Sequence, residues 1–78
     1  MIQEIINILQ EINPYTEINE SSNLLGEDIL DSTGLLVLIA EIEEKYNVEI
    51  PLDELQIEDF ETVSGIVRFV ERLLRGDR

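Results

Sequence analysis

A chain of 78 residues can build one small core, and at 44% hydrophobic content it has enough apolar surface to fold even with 29% of its residues charged. It contains no Cys and no His, which excludes a disulfide framework, a thiolate metal site and an imidazole base. A formal charge of −13 repels nucleic acid and anionic membranes and draws basic protein patches, although acidity equally serves solubility. The apolar runs are short and no basic segment precedes one at the start, so neither a membrane span nor a signal peptide is expected. A single domain over residues 1–78 is expected, cytoplasmic and monomeric by default. The charge is unevenly spread: no Lys or Arg precedes Lys45, and four of the five cations lie in the last eleven positions.

Ile2, Ile5, Ile6, Leu9 and Ile12 recur at helical spacing, with Gln3, Glu4, Asn7, Gln10 and Glu11 opposite, and Asn13-Pro14 ends this first helix. From Asn13 to Asp31 no period is sustained, a length that a compact domain tolerates only when the loop is anchored. Leu24, Leu25, Ile29 and Leu30 are the expected plugs. The second helix, which looks the most central, is expected over Ser32–Tyr46, capped by Asp31 and facing inward through Leu35, Leu38, Ile39, Ile42 and Tyr46. Glu41 and Lys45 are ordered for an ion pair one turn apart. Asn47 suits a left-handed cap, Pro51 stops continuation, and Val48–Ile50 is too short for a convincing strand.

The acidic connector Leu52–Glu61 is expected to hold one short helical turn built on Leu55, Ile57 and Phe60. Thr62 then caps a last helix whose stripe is Val63, Ile66, Val67, Val70, Leu73 and Leu74, ending at Gly76, with Gly65 a weak point inside it. The fold class is therefore all-α, with three main helices, one short helix and a long first loop.

Catalysis finds few tools here. A serine nucleophile would lack a base, and a paired-carboxylate hydrolase needs a cleft that so short a chain can scarcely build. No catalytic residue is assigned and the chain is not expected to be an enzyme. Glu27, Asp28 and Asp31 cluster in the loop, but their order does not match the calcium-loop pattern, so no metal site is expected. Arg75-Gly76-Asp77 reads as a helix end rather than a recognition motif.

Ser32 stands apart. Asp-Ser at a helix start is ordinary capping chemistry, yet with Asp31 as the cap the Ser32 hydroxyl is left over in a first turn whose dipole and unpaired amides favour an attached anion. Ser21, Ser22 and Ser64 are not preceded by Asp and are expected to be structural or solvent-facing.

The segment LDSTGLLVLIAEIEEKYNVEIP, Leu30 to Pro51, resembles the modification segment of acyl carrier proteins and the related aminoacyl and peptidyl carriers. There an Asp-Ser pair opens the second helix, acidic residues follow along it, and an aromatic with a short exit closes it. The first helix, the long loop, the DFETVSGIVRFVERL ending and the overall length fit as well. The resemblance implies a four-helix bundle in which Ser32, preceded by Asp31, receives 4′-phosphopantetheine covalently from coenzyme A through a phosphopantetheinyl transferase. The thiol of that arm would hold acyl or aminoacyl groups as thioesters, so the chain itself needs no Cys.

The resemblance further implies partner enzymes, acyl- or aminoacyl-activating ligases or synthases of fatty-acid, polyketide or specialised biosynthesis. They would be met through Thr33, Leu36, Val37, Ala40, Glu41, Glu43 and Glu44 on the second helix. Thr33 and Gly34 after the serine, and Val37 where fatty-acid carriers often place Glu, depart from that pattern and are similar to D-alanyl carriers and small carriers serving amino-acid-activating ligases. The alternative is a small acidic adaptor that binds a basic protein partner through the second helix without modification.

Overall fold

Three α-helices and two 3-10 turns follow one another in the computed structural model, which describes residues 1–27 and 29–76. They are α1 (Ile2–Ile12), α2 (Ser32–Tyr46), turns at Leu52–Glu54 and Ile57–Phe60, and α3 (Val63–Leu74). No strand occurs among the described residues. In place of the single short helix expected in the connector, Leu55 and Gln56 are extended and split it into two turns, of which the second carries the buried Phe60. Ile57, one of the three residues expected to support that turn, is exposed.

The packing gives the central place to α1 rather than α2, since α1 lies against both other helices. Its buried residues are Ile5, Ile8 and Leu9. At about 100° per residue, these and Ile12 centre the inward face, which leaves Ile2 and Ile6 at its edge. Ile8 therefore joins the core and Ile2 is exposed, a shift of the expected face.

The long first loop is held near its start and at its middle. Leu24, Ile29 and Leu30 are buried and Leu25 partly so, as expected, and Ile18 is a further buried plug. The Gln10 side chain donates to Thr16 O at 2.9 Å and ties the loop to the end of α1. At its middle the Leu24 amide donates to Glu61 O at 2.8 Å, while Glu20 O accepts from the Ser64 amide and from Ser64 Oγ, both at 3.2 Å. A first-turn amide of α3 that has no partner within its helix is thus satisfied by the loop.

The inward residues of α2 are Gly34, Leu38, Ile39 and Ile42, with Leu35 and Tyr46 partly buried. Asn47 closes the helix in the left-handed region at φ 55° and ψ 50°. Lys45 does not pair with Glu41. Its Nζ lies 3.6 Å from Glu4 Oε2 on α1, where the Tyr46 hydroxyl also donates to Glu4 Oε1 at 3.0 Å. That hydrogen bond, aided by Lys45 and the N-terminal ammonium, holds the Glu4 carboxyl below its usual range. Partial burial first, and then the Glu4 carboxylate, push the Tyr46 phenol up to about 12.

Thr62 Oγ1 accepts from the Gly65 amide at 3.1 Å to cap α3. Val63, Ile66, Val67 and Val70 are buried, whereas Leu74, expected inward, is half exposed beyond the packed turns. Phe60 and Phe69 stack tilted at 5.3 Å between ring centroids. Arg72 lies over Phe69 and reaches Asp59 Oδ1 at 3.3 Å, so aromatic and charge contacts clamp the second turn to α3. Gly65 is no weak point in this setting. A Cβ there would stand 2.8 Å from Asp59 O, so only glycine lets the turn approach the helix. Gly76, at φ 79°, follows the helix end as expected, and Asp77 of the Arg75–Asp77 stretch lies outside the described residues.

Gly65→Ala is expected to cost about 1–3 kcal/mol in urea unfolding, because the overpacking outweighs a helix-propensity gain of up to about 1 kcal/mol; a stabilised variant would contradict the close approach. The raised Tyr46 phenol contributes stability that is complete below its ordinary value near 10 and is lost as pH climbs through about 12. Ring NMR of Tyr46 should give a midpoint near 12, and Glu4→Gln should lower it part of the way toward 10, the burial component remaining.

Candidate functional site

The long loop meets α2 at a tightly determined corner. Leu30 is buried and fixes the approach of the chain; Asp31 follows in extended backbone at φ −95° and ψ −176°. Its Oδ1 accepts from the Gly34 amide at 2.7 Å, and its carbonyl takes the Leu35 amide at 2.8 Å, opening the helix. Gly34 is buried, and a Cβ on it would stand 3.2 Å from Asp31 Oδ1, 3.2 Å from Ile12 Cγ2 and 3.3 Å from Leu30 Cδ1. A small residue here brings cap, loop and α1 together.

Ser32 lies on the outside of this corner. It is exposed, and its hydroxyl has no hydrogen-bond partner among the described residues. Its setting suits a phosphodiester: an outward oxygen at the positive end of a helix, with the cap supplied by its neighbour. The other serines are engaged. Ser21 Oγ donates to Asn19 Oδ1, Ser22 Oγ accepts from the Asn19 amide, and Ser64 Oγ is held by Glu20 O.

Thr33, Leu36, Val37, Ala40, Glu41 and Glu44 are exposed along α2, with Leu36 at 56% and Val37 at 45% exposure. These two apolar side chains are open to contact. Glu43, grouped with them from the sequence, is half-buried, and its Oε2 accepts from the Ile50 amide at 2.7 Å. Its carboxylate fixes the exit from α2. In the loop, Glu27 Oε1 accepts from the Asn23 amide at 3.3 Å and Asp31 from Gly34, so both carboxylates are turned to backbone; Asp28 lies outside the described residues.

A feature that the sequence reading missed is an open cleft of about 490 Å³ between α1 and α2, reaching from Ile8, Glu11 and Ile12 to Thr33, Val37 and Glu41. The i, i+4 spacing of the α2 members is visible in the sequence, but their facing residues on α1 are known only once the helices are packed. No helix among the described residues is long and apolar enough to cross a membrane.

The chain is similar to known proteins along most of its length. The family described as "Phosphopantetheine attachment site" matches residues 3–70. The chain is 34% identical over 76 residues to a D-alanyl carrier protein of Streptococcus suis (strain 98HAH33), covering 95% of each. It is 32% identical over 73 residues to the D-alanyl carrier protein of Listeria welshimeri, covering 91% of this chain and 94% of the relative. A Streptococcus pyogenes serotype M1 protein of the same name is 39% identical over 57 residues, covering 67% and 72%.

Asp31→Ala should lower stability by about 1 kcal/mol in urea unfolding through loss of the cap, and Asp31→Asn should retain most of it; equal loss in both would assign Asp31 a charge role instead.

Proposed function

This chain belongs to the acyl and aminoacyl carrier protein family, and from that premise we propose that Ser32 is the residue bearing its prosthetic arm. Members of the family are carriers rather than catalysts, and the group they hold is covalent 4′-phosphopantetheine. When bound, the arm supplies a thiol on which acyl or aminoacyl groups ride as thioesters. The observation supporting Ser32 is its exposed hydroxyl, unengaged while Asp31 performs the capping that a serine in this place would otherwise share. On a phosphopantetheinyl transferase, Ser32 Oγ would form the new bond to phosphorus, its proton passing to the transferase's base as 3′,5′-ADP leaves coenzyme A.

Residues 1–78 act in this proposal as one carrier domain working in the cytoplasm, with the Ile57–Phe60 turn as the short fourth helical element. The cargo is an aminoacyl group, supported by the D-alanyl carriers among the relatives and by apolar Val37 in the first half of α2. An amino-acid-activating ligase would load it. Partners dock on Leu36, Val37 and Ala40 with Glu41 and Glu44 at the edge, and the tether raises the effective concentration of the cargo in the partner's active site. The acidic surface speeds encounter with basic patches.

Incubation with a phosphopantetheinyl transferase and coenzyme A should add the mass of one arm to the wild-type chain and none to Ser32→Ala, whose circular dichroism should match the wild type. An equal increment in the variant would move the attachment elsewhere. A wild-type chain that stays unmodified would favour an adaptor.

A further inference from the structure

The cleft between α1 and α2 shares Thr33, Val37 and Glu41 with the exposed face of α2 and gains a second wall from α1. It begins beside the attachment corner, where Asp31, Thr33 and Gly34 line its near end, and runs along α2 to Glu41. Its apolar lining comes from Ile8 and Ile12 of α1, Ile29 of the loop and the half-exposed Val37 of α2. Its rim carries Glu11 and Glu41, both exposed and without an ion pair among the described residues, and no Lys or Arg lines it. The occupant that fits has a body of alkyl and amide groups and one cationic head.

From Ser32 to Glu41 the helix advances about 14 Å at about 1.5 Å per residue. A pantetheine chain is comparable to about five extended residues, or ~17 Å, so an arm anchored at Ser32 spans the cleft. Resting on the attachment proposed above, we propose that the cleft is a docking place for the arm when it bears an aminoacyl group. The pantetheine chain lies over Ile8, Ile12 and Val37, and the α-ammonium of the cargo sits between the carboxylates of Glu11 and Glu41. A neutral acyl group offers these carboxylates no charge, and an anionic one is repelled. The cleft thus distinguishes cargo by the charge beside the thioester.

The test uses the isotope-labelled protein with the arm on Ser32, carrying alanyl, propionyl or no acyl group, the acyl groups joined through a stable amide in place of the thioester. Propionyl is alanyl without its amine. Alanyl should shift the backbone amides of Glu11, Ile12, Gly34, Val37 and Glu41 beyond the shifts given by propionyl. The Glu11→Gln, Glu41→Gln double variant should reduce that alanyl-specific part about two- to fivefold, the scale of exposed ion pairs, and added salt should reduce it too. Identical shifts for the two cargoes, or an alanyl shift unmoved by the double variant, would overturn the docking while leaving the attachment intact. Failure of Ser32 to accept the arm would overturn both.

Discussion

The Gly34 amide, held 2.7 Å from Asp31 Oδ1, sets the beginning of α2, and the missing side chain at Gly34 lets Ile12 and Leu30 close around it. An added methyl would press at once on the cap and the loop, its near neighbours in sequence, and on Ile12 of α1, which is remote in sequence. Because Asp31 caps the helix through the Gly34 amide, Ser32 is relieved of that duty and its hydroxyl stays outside. The chemistry proposed for Ser32 depends on this division of labour between adjacent residues.

The carboxylates of this acidic chain do unequal work. Glu4 joins α1 to the end of α2 through Tyr46 and Lys45, Glu43 fixes the exit of α2 through the Ile50 amide, and Asp59 anchors Arg72. Each has a specific partner, so its charge is partly spent inside the fold. Glu11, Glu41 and Glu44 are exposed on the helix surfaces. The field felt by an approaching molecule comes chiefly from such residues, and it is strongest where low-dielectric walls meet acidic rims.

Much of the architecture was legible because it rests on local chemistry. Asp31, Asn47 and Thr62 mark helix ends through their own side-chain or backbone preferences, and the segment Leu30–Pro51 carries the family resemblance in its residues alone. The face of α1 was placed slightly off because isoleucine occurs on several sides of that helix, which blurs the polar boundary. Gly65 looked like a defect because its need arises from the carbonyl of Asp59, met only in the folded chain. Lys45 found Glu4 rather than Glu41 for the same reason: the competing partner lies on another helix. The cleft was illegible because its walls come from α1, the loop and α2, and no spacing rule links them.

The carbonyl of Glu20, 44 positions upstream, receives both the amide and the hydroxyl of Ser64 in the opening turn of α3. That helix is therefore begun by a remote part of the chain as well as by Thr62. Nucleating a helix is costly, and closing a long segment of chain adds to the entropy that must be overcome before the reward is collected. The opening turn of the final helix and the anchored loop therefore share their hydrogen bonding, and slackening the loop would take both of these partners from the helix start.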